Sequence, residues 1–338
     1  MALTPSADRG APVLARQHRL TRLGFGAAPI AGLYTAVDED TAAATVDAAW
    51  AAGVRYFDTA PHYGLGVSEQ RLGAALAARP RDEFVVSTKA GRLLVPDDRG
   101  GSDDEAGFAV AATHRRVWDL SRDGIRRSLD GSLTRLGLDR VDVLYLHDPE
   151  DRLDEALATA IPALAELRDE GAVTAVGAGS KDAAALTRLV RAGGLDVVMV
   201  AGRYTLLEQP ALTDLFPACA AAGTDVVAAG VYNSGLLAAP DPDPAGTYEY
   251  DAVPPPVLAR ARDLAAVCAE HGAVLPHAAL RFPLRHPLVR SVVVGMRSPA
   301  EVRQNAAWLD APVADELWAA LEDRGLIAAG AATATAAP

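Results

Sequence analysis

Four side chains that could together move a proton follow three successive apolar runs of the sequence. Asp58 comes directly after one short run, and Tyr63 follows five residues later in a loop. Lys89 ends the next run, and His147 ends a third. A free tyrosine has a pKa of about 10 and is a poor base at neutral pH, but a nearby cation lowers that pKa and a carboxylate can position the cation. The sequence therefore predicts a tyrosine that exchanges a proton.

Each of the four residues also has a structural explanation when it is taken alone. Asp58 could cap the turn before Tyr63, Lys89 could be a surface lysine, and Tyr63 could be a packing residue. His147 alone is equally ambiguous. Their joint occurrence at the ends of successive strands favours the chemical interpretation, because strand ends carry the active site in parallel barrels.

The residues around Tyr63 carry a recognisable pattern. It resembles the signature of the aldo-keto reductases, with matches at Asp58-Thr59-Ala60, Tyr63-Gly64, Ser68-Glu69 and Leu72-Gly73. The similarity extends from about Leu23 to about Trp308. This resemblance implies hydride transfer between a nicotinamide cofactor and a carbon bearing oxygen. Tyr63 would donate or accept the proton, Lys89 would lower the pKa of the phenol, Asp58 would hold Lys89, and His147 would orient the substrate oxygen.

Eight short apolar runs alternate with longer segments of helical periodicity, which predicts an α/β fold. Nearly continuous apolar strands that alternate with helices indicate a parallel sheet buried on both faces. Eight such units predict a single-domain (β/α)8 TIM barrel over residues 17–327, with flexible termini at 1–16 and 328–338. The runs begin near Leu23, Val54, Phe84, Val141, Val173, Asp196, Asp225 and Ser291.

Two of the intervals between strands are unusually long, and they predict loops that cover the site. The excess lies at residues 91–112, after the third strand, and at 232–256, after the seventh. Loops that follow barrel strands lie on the face that carries the active site, so we expect these two to form a substrate lid. Apolar periodicity over 113–136 predicts a helix after the first of them. Ser68 is the expected cap of an earlier helix.

The segment 291–305 predicts a phosphate site. Gly295 ends the last strand, and Ser298, Pro299 and Glu301 read as a cap, a first-turn proline and a capping-box acid. A helix N-terminus at this place favours an anion. By itself this is an ordinary capped helix; the family resemblance implies that it holds the adenosine phosphates. The candidate cofactor contacts there are Gly295, Arg297, Ser298, Glu301, Gln304 and Asn305.

Cofactor choice depends on two charged residues of that segment. Many relatives hold the 2′-phosphate of NADP with a basic residue where Glu301 stands, and a carboxylate repels phosphate. Arg297 could supply a cation instead. The prediction is NAD, with NADP possible. The resemblance further implies that Ser180 binds the nicotinamide amide and that Tyr204 stacks on the nicotinamide ring, although Ala201 stands where many relatives carry glutamine.

Composition limits the class of partner. The formal net charge is -12 and the sequence pI is about 5.0, which argues against nucleic acid and anionic membranes. The two cysteines have no metal-ligand spacing, so no metal site is predicted, and unpaired thiols suit the cytoplasm. No segment has the length of apolar sequence that spans a bilayer. The oligomeric state is not predicted.

The substrate class rests on a narrower resemblance. Residues 201–209 and 230–235 look like the aldose 1-dehydrogenase branch of the family, which includes L-fucose, D-threo-aldose and L-galactose dehydrogenases and oxidises C1 of a sugar to a lactone. A pyridoxal 4-dehydrogenase and an NADPH-dependent carbonyl or aldehyde reductase remain alternatives. A cofactor-binding sensor or partner subunit without turnover is an alternative of another class. A paired-carboxylate hydrolase is disfavoured because Asp58 already has Lys89 as partner.

Overall fold

A closed barrel of parallel strands forms the centre of the molecule. The computed structural model describes residues 20–98, 100–249 and 251–331, so the termini 1–16 and 332–338, both predicted to be flexible, lie outside the described residues. Each strand pairs in parallel with its two neighbours, and the last pairs with the first. The strands are β1 (Leu23–Gly26), β2 (Tyr56–Asp58), β3 (Val85–Ala90), β4 (Val143–His147), β5 (Ala175–Ser180), β6 (Val197–Ala201), β7 (Asp225–Ala229) and β8 (Val289–Gly295).

The barrel prediction is confirmed, and each strand begins within two residues of its predicted start. The strands are buried along almost their whole length because helices cover them outside and side chains fill them inside. The interior cluster consists of Tyr56, Val85, Val143, Tyr145, Ala175, Val197, Met199, Val227 and Val293.

Helices surround the barrel. A π-helical segment, Ala156–Ala160, joins α4 to α5, and 3-10 helices lie at Pro29–Ala31, Tyr63–Gly66, Arg81–Glu83, Asp104–Ala106, Glu150–Arg152, Pro210–Leu212 and Pro283–Arg285. The α-helices are α1 (Glu39–Ala51), α2 (Val67–Leu76), α3 (Arg122–Leu136), α4 (Leu153–Glu155), α5 (Ile161–Asp169), α6 (Ala183–Ala192), α7 (Leu215–Ala222), α8 (Pro255–Glu270), α9 (Leu275–Arg281), α10 (Pro299–Asp310) and α11 (Asp315–Asp323).

Two local predictions are wrong. The helix predicted over 113–136 begins only at Arg122, where Ser121 caps it by accepting the N–H of Gly124, and His114–Trp118 is instead a strand. Ser68 does not cap α2, which begins one residue earlier. The Ser68 hydroxyl is buried and donates to the carbonyl of Ala27, so it ties the helix to the residue after β1.

The long segment after β3 folds into two antiparallel hairpins. Arg92–Pro96 pairs with His114–Trp118, and Ser102–Asp103 pairs with Phe108–Ala111. A bridge between Leu33 and Phe108 fastens the second hairpin to the loop after β1. These two hairpins therefore pack beside the carboxyl ends of the first strands of the barrel.

The loop after β7 carries a shorter hairpin, in which Thr247–Tyr248 pairs with Asp251–Ala252. Glu249 at its turn accepts hydrogen bonds from Arg203, at 2.7 Å, and from Lys181, at 3.2 Å. Because Arg203 follows β6 and Lys181 follows β5, these ion pairs tie the loop across the carboxyl ends of three strands.

Candidate active site

Asp58 and Lys89 form a buried ion pair at the carboxyl ends of β2 and β3. The Lys89 Nζ donates to Asp58 Oδ2 at 2.7 Å and to the carbonyl of Thr59 at 3.0 Å, and each charged residue is only 2% exposed. Ser87, which is paired with Asp58 in the sheet register, donates to the other carboxylate oxygen at 2.7 Å. A buried ion pair is held this firmly only when the remaining hydrogen-bonding positions are also satisfied.

Tyr63 lies against this pair. The Lys89 Nζ lies 4.7 Å from the centre of the Tyr63 ring, and its positive charge acts on the pKa of the phenol. Tyr63 opens a 3-10 turn in which Gly64 has φ 57° and Gly66 has φ 91°, a left-handed conformation that glycine adopts without strain. This turn places the phenol beside Lys89, near the carboxyl end of β3.

Burial and charge act in opposite directions on the phenol. Burial raises the pKa of Tyr63 to about 12, although the Lys89 ammonium lowers it. The predicted influence of Lys89 is present, but burial outweighs it. Burial alone would lower the pKa of Lys89, yet the Asp58 carboxylate and Tyr63 together raise it above its ordinary value. At neutral pH the structure therefore holds a protonated phenol beside a permanent cation, which is an arrangement suited to proton donation.

His147 presents an uncharged ring to the same space. Its ring centre lies 5.8 Å from that of Tyr63, edge to face. Burial, followed by the charges of Lys89, Arg92 and Arg116, holds the pKa of His147 well below its ordinary value. A neutral imidazole can orient a substrate oxygen by hydrogen bonding without adding charge.

The hairpins after β3 complete the site with residues that the sequence did not single out. Arg116 donates to the carbonyl of His62 at 2.7 Å and makes two hydrogen bonds to Asp103, at 2.7 and 2.6 Å. The ring centre of Phe108 lies 6.1 Å from the rings of both Tyr63 and His62. The lid interpretation of residues 91–112 is consistent with these contacts. In the sequence Arg116 is recognisable only as a basic residue that follows the long loop 91–112.

A chain of hydroxyl groups continues from Asp58 into the barrel. The Tyr56 hydroxyl lies 3.0 Å from the hydroxyl of Ser87 and 3.3 Å from that of Tyr145. Burial raises the pKa of both tyrosines well above the ordinary value, so both stay protonated. Ser87 donates to the Asp58 carboxylate, so its hydroxyl oxygen is free to accept from Tyr56, and Tyr56 in turn can accept from Tyr145.

The phosphate site predicted after β8 has the expected backbone. Ser298 accepts the N–H of Glu301 at 3.2 Å, and the Glu301 carboxylate accepts the N–H of Arg297 at 2.9 Å. Gly295 ends β8, and a Cβ there would lie 2.9 Å from Pro29. A side chain at residue 295 would therefore collide with Pro29, so the backbone between β8 and α10 must stay bare there.

Other candidates near this helix differ in exposure. Asn305 is 5% exposed, donates to the Glu301 carbonyl at 2.8 Å and accepts from the Tyr232 hydroxyl at 2.5 Å. Gln304 faces solvent. Asn233, in the loop after β7, is 4% exposed, and neither its amide nitrogen nor its amide oxygen has a hydrogen-bond partner. An unpaired buried amide indicates a missing polar ligand.

Ser180 lies at the end of β5 and is 2% exposed. Its hydroxyl donates to Glu150 at 2.8 Å and accepts the N–H of Asp182 at 2.9 Å. One lone pair of the hydroxyl remains for a further donor, such as the amide of a nicotinamide.

Tyr204 is not brought to the site. It is fully buried, and its ring lies 4.7 Å from Phe216, 5.2 Å from Phe282 and 5.8 Å from His286, centre to centre. Its hydroxyl donates to the carbonyl of Ala331 at 2.7 Å. These contacts enclose the ring and leave no face for a cofactor, so the predicted stacking on nicotinamide is wrong for this position. They also show ordered packing as far as Ala331, beyond the predicted domain end at residue 327.

The described residues contain neither a group of metal ligands nor a membrane-spanning helix. No group of histidine, cysteine and carboxylate side chains in this part of the chain could hold a metal ion. No helix within residues 20–98, 100–249 and 251–331 is long and apolar enough to cross a membrane.

A parallel barrel whose mouth holds a tyrosine, a lysine, an aspartate and a histidine defines a nicotinamide-dependent oxidoreductase. The aldo/keto reductase family model matches residues 22–324, and the chain belongs to that family. It is 54% identical over 309 residues to a D-threo-aldose 1-dehydrogenase from Pseudomonas sp, covering 90% of this chain and 94% of that one.

Two further relatives widen the comparison. A pyridoxal 4-dehydrogenase from Microbacterium luteolum is 38% identical over 326 residues, with 91% of this chain and 95% of that one covered. A holo-form aldo-keto reductase structure from Bacillus halodurans has a TM-score of 0.69 at 26% identity, covering 94% of this chain and 93% of that one. The similarity therefore extends over the whole barrel.

Proposed function

We propose that this protein oxidises the C1 carbinol of an aldose to the lactone, with NAD as hydride acceptor. The observation that carries the proposal is the position of the Lys89 ammonium, which lies 4.7 Å from the centre of the Tyr63 ring and 2.7 Å from Asp58 Oδ2. The 54% identity to a D-threo-aldose 1-dehydrogenase supports an aldose as the substrate.

The roles of the four residues follow from their charges. A carbinol that becomes a lactone carbonyl loses a hydride from carbon and a proton from oxygen. The Tyr63 phenolate, which Lys89 stabilises, takes the proton and becomes a neutral phenol. Asp58 keeps the ammonium in place, and the neutral ring of His147 orients the substrate oxygen. In the reverse direction Tyr63 returns the proton to the carbonyl oxygen. A bound nicotinamide supplies the hydride-accepting carbon.

The described residues fit a dinucleotide. The unpaired amide of Asn233 offers a donor and an acceptor, and the capped N-terminus of α10 offers backbone N–H groups to phosphate. Ser180 keeps a lone pair for the nicotinamide amide. These residues, together with Gly295, Arg297, Asn305 and the exposed Gln304, are the proposed cofactor site, without Tyr204.

The preference for NAD over NADP is assigned to Glu301. Its carboxylate lies at the N-terminus of α10, where its negative charge repels a 2′-phosphate. It also lies 3.9 Å from the Arg297 side chain and pairs with this cation, which could otherwise bind the phosphate. Replacing Glu301 by glutamine should raise kcat/KM with NADP relative to NAD. A wild-type enzyme that strongly prefers NADP would show that Arg297 governs the pocket instead.

The test is a screen of cofactor reduction, followed by absorbance, over a panel of aldoses and pyridoxal with NAD and NADP. We expect turnover on an aldose with NAD and its loss in Tyr63→Phe, with cofactor affinity retained in that variant. Preferred oxidation of pyridoxal would identify the second relative as the better guide. Activity confined to simple aldehydes and NADPH would indicate a reductase, and cofactor binding without any turnover would indicate a sensor.

We also propose a cytoplasmic location. Both cysteines, Cys219 and Cys268, are buried free thiols, and burial raises the pKa of each to about 12. Thiols in this state are unreactive and suit a reducing compartment.

A further inference from the structure

His62, which directly precedes Tyr63, has a buried polar atom that the tetrad does not use. Its ring lies edge to face against three others, with centres 5.5 Å from His147, 6.1 Å from Phe108 and 6.4 Å from Tyr63. The ring nitrogen Nδ1 is buried and has no hydrogen-bond partner. Most buried polar atoms in folded proteins are paired, so an unpaired one beside the reacting group is a candidate contact for the substrate.

The charge state of His62 limits what that ligand can be. Burial, followed by the charges of Arg116 and Arg92, lowers the pKa of His62 to about 2, and the carboxylate of Asp148 opposes this shift. The imidazole is therefore neutral throughout the physiological range. A neutral ring is a poor partner for phosphate or carboxylate, but it suits a hydroxyl group, which can either donate or accept.

A residue of the hairpin after β3 holds the backbone of His62 in place. Arg116 donates to its carbonyl at 2.7 Å and is itself held by Asp103. The residue is partly exposed. In the proposed reaction Tyr63 and His147 contact the oxygen on the reacting carbon, and a ring packed against both of them is placed to contact the neighbouring part of the substrate.

We propose that His62 is a specificity-determining residue that hydrogen-bonds the hydroxyl on the sugar carbon next to the reacting one. This inference rests on the proposed function, because it requires a polyol substrate. It explains a neutral imidazole whose Nδ1 is unpaired although the ring packs against both rings at the reacting oxygen.

The experiment compares the best aldose of the screen with its 2-deoxy analogue in wild type and in His62→Leu. Wild type should favour the parent sugar, and His62→Leu should reduce kcat/KM for the parent by about ten-fold while changing that for the 2-deoxy sugar little, because only the parent loses a hydrogen bond. His62→Asn, which keeps a polar group, should recover part of the preference. If the 2-deoxy sugar turns over too slowly, its inhibition constant replaces kcat/KM.

His286→Leu is the matched control. His286 is also partly buried among aromatic rings, and burial lowers its pKa, but it packs 4.5 Å from Phe216, outside the site. This variant should keep the wild-type ratio of the two sugars. An equal loss on both sugars in His62→Leu would overturn the inference and leave His62 as a packing residue. Absence of aldose oxidation by wild type would instead overturn the proposed function.

Discussion

Removing the ammonium of Lys89 should destabilise the protein by an amount that depends on pH. In Lys89→Met the Asp58 carboxylate keeps its bond from Ser87 but loses a cation at 2.7 Å, in a site where both residues are 2% exposed. Breaking a buried ion pair costs about 3–5 kcal/mol. The upper limit at pH 7 is about 4 kcal/mol, because a carboxyl of ordinary acidity can be protonated for that free energy.

The same limit gives the pH dependence. Protonation becomes easier by about 1.4 kcal/mol for each unit by which the pH falls, so the penalty of Lys89→Met should shrink between pH 7 and about pH 5. The control is the double variant Asp58→Asn/Lys89→Met, which removes both charges and should regain much of the stability at pH 7. The free energy of unfolding, from urea denaturation at several pH values, measures all three proteins.

Turnover should separate from stability in this series. Lys89 opposes the raised pKa of the Tyr63 phenol, so its loss should lower kcat by about 10²–10⁴-fold. The double variant should stay equally inactive although it is stable. The reasoning fails if Lys89→Met costs less than about 1 kcal/mol at pH 7, or if its penalty is independent of pH while that of the double variant is not.

Three further outcomes are expected. Because the pKa of Tyr63 is about 12 without cofactor, the phenolate fraction rises ten-fold per pH unit below that value, so sugar oxidation should accelerate from pH 7 to pH 10; a flat profile limited by chemistry would exclude Tyr63 as the base. Gly73→Ala should strongly destabilise the protein, since its Cβ would lie 1.9 Å from the Leu136 carbonyl, whereas the control Gly131→Ala meets only the end of a flexible arginine and should be neutral or stabilising by up to about 1 kcal/mol; equal thermal shifts would contradict this. Asn233→Gly should raise the Kd for the cofactor in fluorescence titration while changing the free energy of unfolding little, because that amide has no partner in the protein and glycine tolerates the φ of 46° at this position; an unchanged Kd would remove Asn233 from the site.

The strands were predictable because burial on both faces leaves a direct mark on the sequence. Continuous apolar runs ending in Asp58, Lys89 and His147 indicated both the barrel and the end that carries the chemistry. Helix capping also depends on neighbouring residues, so Ser298 was recognised as a cap from the sequence around it. In these cases the determining contacts lie within a few residues of each other.

The features that sequence reasoning missed depend on contacts between distant residues. The residues of His114–Trp118 continue a helical pattern, but their pairing with Arg92–Pro96 decides their conformation. Tyr204 was misassigned because nothing nearby shows that Phe216 and Phe282 enclose its ring. Ser87 was detectable in principle, since the sheet register places it opposite Asp58.

The hydroxyl chain from Tyr145 through Tyr56 to Ser87 connects the interior of the barrel to the Asp58 carboxylate by hydrogen bonds. Redesign of a barrel interior often replaces such tyrosines by aliphatic residues, which have no hydroxyl group. Here that choice would strip a proton donor from the residue that steadies Asp58. Variants selected for heat resistance at these two tyrosines should therefore be screened for turnover from the first round.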